Sequence, residues 1–373
     1  MSSSEKSSSA KTMKLLMGPG PSNVNKRVYD ALAAPIIGHL DPEFLGIMDE
    51  TVQMLRDVFT TGNRLTIPIS GTGSSGMEAG FVNVLEKGDK AVIGVNGVFG
   101  ERMADVASRY GAEVIRVEED WGRIIEPERF IGELKKHPDA KIAAIVHAET
   151  STGARQPIEE IGSHVKNTDT LLLVDAVTSL AGCELKIDEW NVDISYSGTQ
   201  KCLSVPPGLS PVTFSDKAVD VIESRKSKIE SWYLDLSMIR KYWGSERVYH
   251  HTAPISMIYA LREGLKIILE EGLPERYKRH QLVGDYLVEE ISTLGFDLFA
   301  QEGHRLPMLV SVILPDGIND DEVRSKLLKD HGIEIGVGLG KTRGKIWRIG
   351  LMGETCTKEN VDIFIGALKE ITG

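Results

Sequence analysis

The stretch "LTIPISGTGSSGMEAGFVNVLE", Leu65 to Glu86, passes from an apolar run through a glycine-rich turn into a helical pattern. The apolar run has almost no polar break, as expected of a strand buried on both faces. A strand that leads directly into a helix is the basic unit of an α/β sheet. Its reading therefore decides the fold class, provided that the rest of the chain repeats it.

The repetition continues to about Ser215. "KAVIGV", "EVIRV", "KIAAIVH", "LLLVD", "VDISYS" and "SPVTFS" read as further strands, with helical patterns such as "GERMADVASRY" between them. This predicts an α/β domain with a mostly parallel central sheet flanked by helices. After about Ile255 come two long helical stretches, then "LPMLVSVIL", "DDEVRSKLLKD", "IEIG", "KIWRIG" and a last helix. That pattern predicts a smaller C-terminal α+β domain. The expected division is a disordered tail over 1–14, an N-terminal arm over 15–45, a large domain over 46–254 and a small domain over 255–373.

The 373 residues carry 43 Lys and Arg against 54 Asp and Glu, a net charge of −11. An acidic chain without basic clusters argues against nucleic acid and anionic membranes as partners. No apolar run approaches the roughly 20 residues that span a bilayer. The 3 cysteines, Cys183, Cys202 and Cys356, form no C-x-x-C pair, so neither a zinc site nor a disulfide framework is expected. The start "MSSSEKSSSAKTMK" lacks the features of a secretory or transit signal, and "ITG" is no peroxisomal address. The cytoplasm is the default compartment.

Gly71-x-Gly73-x-x-Gly76 matches a dinucleotide fingerprint. That motif needs a carboxylate at the end of the next strand to hold the ribose. Here "KAVIGV" runs into "NGVFGER" and offers none, which counts against a nucleotide-binding oxidoreductase. The phosphate half of the reading stands. Glycines let backbone N–H groups approach an anion at a helix start, and Thr72, Ser74 and Ser75 add hydroxyl donors. On the loop alone, a Ser/Thr-rich N-cap without ligand fits as well.

Two further residues sit at strand ends. Asp175 closes "LLLVD", and Lys201 stands in "SGTQKCLSVPPG" between small polar residues and Pro206–Pro207. Ligands of parallel sheets bind at the carboxyl ends of strands. A phosphate cradle, a carboxylate and a lysine together meet the needs of pyridoxal 5′-phosphate (PLP). The lysine forms the Schiff base, the carboxylate pairs with the ring nitrogen and the cradle holds the phosphate. Bringing the lysine to ~7–8 by burial would free its amine for proton transfer.

At these residues the chain resembles a known family. "GPGPSN", "GHLDPEF", "GTGSSGMEA", "GVNGVFGER", "HAETSTG", "LLLVDAVTSLAG", "YSGTQKCLSVPPG", "YHHTAP" and "GKIWRIGLMG" occur in the order and spacing of the class V, fold-type I PLP aminotransferases. The resemblance is to the alanine–glyoxylate / serine–pyruvate group, over nearly the whole chain. It implies Lys201 as the Schiff-base lysine and Asp175 as the partner of the pyridinium nitrogen. It implies Thr72, Gly73, Ser74 and Gln200 around the phosphate, Thr150 beside the ring oxygen and Phe99 stacked on the ring. Tyr249 and Thr252 match residues that reach the phosphate from the other subunit of a homodimer. Arg348 matches the arginine that grips the substrate carboxylate, as a planar guanidinium suits.

The implied reaction is ping-pong transfer of an amino group from alanine, or serine, to glyoxylate. Two departures stand out: Phe99 replaces a common Trp, and Thr-Gly-Ser replaces the Ser-Gly-His of animal members. A PLP lyase or desulfurase, and a non-catalytic binding relative, are the alternatives. His250 and His251 read as packing residues rather than metal ligands. Cys202 reads as a packing neighbour of Lys201 rather than a sulfur-transfer nucleophile.

Overall fold

The computed structural model describes residues 13–372. The expected tail falls mostly outside them. An extended arm comes first: β1 (Leu15–Met17) and α1 (Lys26–Leu32), followed by α2 (Pro42–Phe59). Asp41 caps α2 by accepting from Glu43 N, with Pro42 in its first turn.

The large unit alternates strand and helix as the sequence predicts. It runs β2 (Leu65–Ser70), α3 (Gly73–Val82), β3 (Lys90–Val95), α4 (Val98–Arg109), β4 (Glu113–Glu118), α5 (Pro127–Lys136) and β5 (Ala140–Val146). A two-residue ribbon, β6 (Ala148–Glu149) and β7 (Ala154–Arg155), precedes α6 (Glu159–Val165). Then come β8 (Leu171–Asp175), β9 (Ile194–Tyr196), β10 (Leu209–Phe214), α7 (Asp216–Glu223), α8 (Leu236–Trp243) and α9 (Ile255–Glu271). Seven strands form one sheet in the order β2-β10-β9-β8-β5-β3-β4. Both neighbours of β10 pair with it antiparallel, and every other pair is parallel. This is the mostly parallel, helix-flanked sheet of the fold-type I architecture.

The second unit holds α10 (Leu273–Thr293), β11 (Leu309–Ile313), α11 (Asp320–Asp330), β12 (Ile333–Val337), β13 (Ile346–Gly350) and α12 (Lys358–Thr372). Its sheet runs β1-β12-β13-β11, so the N-terminal arm supplies an edge strand. Trp347, Phe364, Leu287 and Val312 lie in a separate core there.

The expected boundary at 254/255 leaves α9 with the second unit. Its buried Ile258, Leu261, Leu265 and Ile268 belong instead to the core of the large sheet. Gly272, at φ 81°, breaks the helical run between α9 and α10.

Candidate active site

The carboxyl ends of β2, β5, β8 and β9 converge on one edge of the large sheet. β2 ends at Ser70, and Gly71 turns the chain with φ 151°. A Cβ there would stand 2.8 Å from that of Ser75, so the turn admits only glycine. Thr72 is the N-cap of α3 but makes no capping bond, and Ser74 is exposed. The first N–H groups of α3 therefore face outward with the helix dipole behind them. A Cβ at Gly73 would lie 3.3 Å from Val177 and 3.6 Å from Gly198 Cα. The glycine loop thus touches the segments that follow Asp175 and precede Lys201.

Asp175 pairs in register with Tyr196 across β8 and β9. Its carboxylate accepts from Val177 N at 2.9 Å and from the Tyr196 hydroxyl at 2.7 Å. Burial raises the Asp175 pKa to about 6, while those two donors and the Lys201 charge pull it down. Tyr196 is one residue that sequence reasoning missed: within "VDISYS" it reads as one more apolar core position.

Lys201 is 9 % exposed and donates its ammonium to the Pro19 carbonyl of the arm. Burial lowers its pKa to about 8, with the nearby Arg348 charge acting the same way. The loop is held from several sides. Ser22 Oγ donates to Lys201 O at 2.9 Å, Ser204 N to Lys201 O at 3.0 Å, and Thr199 Oγ1 to Pro206 O at 2.7 Å. Beside it the side-chain oxygen of Gln200 is buried without a hydrogen-bond partner. Cys202 packs inward, its thiol pushed up to about 12 by burial. Cys183 and Cys356 are likewise raised to about 12 by burial. Three protonated thiols do not make a sulfur-transfer nucleophile.

Arg348 comes from β13 of the second unit and is 5 % exposed. It donates Nε to Val337 O at 2.9 Å and Nη1 to Thr150 O at 3.1 Å. Among the described residues it has no carboxylate partner. Burial lowers its pKa to about 10, offset in part by Glu149. A buried guanidinium with only carbonyl partners is poised for an incoming carboxylate. Among the described residues the Thr150 hydroxyl beside it has no hydrogen-bond partner, and the residue is buried.

Glu149 is a second residue the sequence reading passed over. Fully buried, it accepts from Phe99 N at 3.1 Å, Gly100 N at 3.4 Å and Ser151 Oγ at 2.6 Å. It thereby ties the start of α4, which carries Phe99, to the loop that carries Thr150. Phe99 is half-buried, with Arg102 at 5.0 Å from its ring centroid.

Tyr249 and Thr252 stand apart from this cluster. They bond to each other at 3.4 Å, and Tyr249 is 56 % exposed. His251 Nε2 lies 2.7 Å from Ser70 Oγ, and His250 stacks on Trp232 at 4.5 Å. Among the described residues no group of three His, Cys, Asp or Glu comes together to hold a metal ion. None of the described helices is long and apolar enough to cross a membrane.

These donors fit PLP. An uncapped helix start suits its phosphate, a buried carboxylate its ring nitrogen, and a buried amine of lowered pKa its aldehyde. The Gln200 amide oxygen is buried without a partner beside Lys201; since that oxygen only accepts, it is the Gln200 amide nitrogen that would meet the phosphate. The fold and site thus define a PLP-dependent enzyme of fold type I.

Comparison with known proteins narrows the class. The sequence model for "Aminotransferase class-V" matches residues 23–364. The (S)-ureidoglycine–glyoxylate transaminase of Bacillus subtilis is 42 % identical, over 96 % of this chain and 90 % of that protein. The alanine–glyoxylate aminotransferase of Drosophila melanogaster is 41 % identical, over 96 % and 92 %. The crystal structure of an alanine–glyoxylate aminotransferase from Nostoc sp. superposes with a TM-score of 0.95 at 48 % identity, covering 97 % of this chain and 96 % of that one. The chain belongs to the class-V aminotransferase family. It is a PLP-dependent aminotransferase, and its substrates are amino acids and 2-oxo acids.

Proposed function

We propose that the enzyme transfers the amino group of a small amino acid, alanine or serine, to glyoxylate. The observation that carries this reading is Arg348, a buried guanidinium without an acidic partner beside Lys201. The names of the similar proteins support glyoxylate as acceptor. PLP, when bound, supplies the electron sink that makes a substrate α-proton removable.

The chain's own residues do the rest. The start of α3, with Thr72, Gly73 and Ser74, would take the phosphate, and the Gln200 amide nitrogen would complete that contact. Asp175, its charge favoured by Tyr196 and Val177, would face the ring nitrogen. Phe99 would cover one face of the bound ring, and the Thr150 hydroxyl would reach its ring oxygen. Arg348 binds the substrate carboxylate and fixes the α-carbon toward Lys201. The Lys201 amine, neutral in a good fraction near pH 8, would hold the cofactor and would then serve to move the α-proton. Pro19 and Ser22 of the arm bond to the lysine and its loop, which holds them against each other.

The exposed patch of Trp232, Tyr233, Val248 and Tyr249 supports a homodimer that brings Tyr249 and Thr252 to the partner's phosphate site. A second donor, (S)-ureidoglycine, is favoured by the Bacillus subtilis relative, whose 42 % identity stands beside the 41 % of the Drosophila melanogaster alanine enzyme.

The test is a single-turnover half-reaction with alanine, serine and (S)-ureidoglycine, followed by glyoxylate. One donor should bleach the visible band of the bound cofactor, and glyoxylate should restore it. A band that no donor bleaches, or that pyruvate restores and glyoxylate does not, contradicts the proposal.

A further inference from the structure

On the far side of the segment that leads from β5 to Glu149 lies a cavity of about 220 Å³. It is separate from the cofactor pocket, and none of the proposed chemistry uses it. His147, 3 % exposed, lines it, and Nδ1 of this ring is buried without a partner. Trp190 stands edge-on to that ring, with centroids 5.6 Å apart. Arg155 and His304 complete the donor side. Among the described residues, none of the side-chain N–H groups of these four has a hydrogen-bond acceptor.

The acceptors on the cavity wall are engaged in part. Gln156 spends its amide oxygen on Ile125 N at 2.8 Å and its amide nitrogen on Ile125 O at 2.7 Å. Glu159 accepts from Ile158 N at 3.1 Å. Glu184, on the rim and 59 % exposed, pairs with Lys186 at 3.3 Å. The Arg155 guanidinium and the unpartnered ring N–H groups suit a ligand made of acceptors, which must sit on their side of the cavity, away from the Glu159 and Glu184 carboxylates of the same wall. Of these groups His147 Nδ1 is the one buried away from water without a partner, which is costly unless a ligand supplies one.

We propose that this cavity binds a small oxyanion, a phosphate or a short carboxylate, gripped by the Arg155 guanidinium and the His147 and Trp190 ring N–H groups. Burial and the Arg155 charge keep His147 neutral, its pKa pushed down to about 3, so it contributes one N–H donor and one ring acceptor. The tautomer that donates into the cavity is the one the anion selects. The site lies in the seam between the two units, because Arg155 N donates to His304 O at 2.8 Å. It also backs directly on the active site, since His147 N donates to Asp175 O at 3.1 Å.

The test uses the PLP-loaded enzyme, in which the phosphate cradle is filled. Its thermal midpoint is followed against inorganic phosphate and, separately, against acetate, at ionic strength held constant with chloride. The expected result is a saturable rise with at least one of the two ions. A phosphate response alone assigns the site to phosphate-bearing ligands, and an acetate response alone to carboxylates. Arg155→Met should weaken the apparent affinity about tenfold or more, the loss expected for charge-assisted hydrogen bonds. Trp190→Phe keeps the ring, removes only the N–H and should weaken it severalfold, which serves if Arg155→Met folds poorly. A rise that never saturates means an adventitious ion only and overturns the proposal. Absence of any rise, or saturable binding unchanged in both variants, overturns it equally.

Discussion

Tyr196→Phe isolates the device that keeps Asp175 ionised. The substitution keeps the buried ring and removes one donor, the hydroxyl 2.7 Å from Asp175 Oδ2. A hydrogen bond to a charged group is worth about 1.5–3 kcal/mol. At 1.36 kcal/mol per pH unit, its loss raises the Asp175 pKa by about 1–2 units. From about 6 in the intact chain, the value moves to about 7.5 by this arithmetic. At pH 6.5 the ionised fraction then falls from about three-quarters to about one-tenth, and at pH 8.5 it stays near nine-tenths. A ring-nitrogen partner that is neutral contributes no ion pair. Cofactor affinity should therefore drop about eightfold at pH 6.5 and hardly at all at pH 8.5. The assay is a spectral titration of the apoenzyme with PLP at both pH values, expressed as the ratio of variant to wild type. The ratio cancels the cofactor's own titration. An equal ratio at the two pH values, or no loss at pH 6.5, would refute the reasoning.

Three other outcomes follow from the same geometry. Arg348→Lys keeps a charge but loses the planar fork, so kcat/KM for the amino donor should fall about a hundredfold with PLP affinity little changed; steady-state kinetics and a PLP titration check this. Glu149→Gln leaves Phe99 N and Ser151 Oγ with a weaker acceptor and removes the buried charge that steadies Arg348. The donor KM should rise about tenfold, and unchanged kinetics would show that Glu149 is purely structural. His280 is buried, donates Nδ1–H to Arg276 O and accepts from Gly353 N, and its pKa is pushed down to about 3. The unfolded chain takes up that proton first, so His280 contributes stability above about pH 6.5 that is lost as the pH falls toward 3. Between pH 7 and pH 5 the stability gap between wild type and His280→Asn, read from urea unfolding, should narrow by about 2 kcal/mol.

Much of this was legible in the sequence because of where charge interrupts apolar runs. Asp175 ends a run of four buried residues, and Lys201 sits in a loop stiffened by prolines, so both announce themselves at strand ends. Tyr196 does not, since its hydroxyl matters only through register with Asp175, a contact that only the paired strands supply. Glu149 hides for a related reason: its partners at the start of α4 lie 50 residues away in sequence. The helices α9 and α10 share one period, and only long-range packing assigns the first to the large core and the second to the small one. Tyr249 and Thr252, expected at the phosphate, sit on an exposed face, where a contact between chains would have to complete the site.

The central claim is that the Lys201 amine holds the cofactor. Borohydride reduction of the PLP-loaded enzyme, followed by peptide mass mapping, tests it directly. The account predicts a pyridoxyl group on Lys201 and on no other lysine, and none in Lys201→Ala. A label on a different lysine, or full turnover by Lys201→Ala, would contradict it.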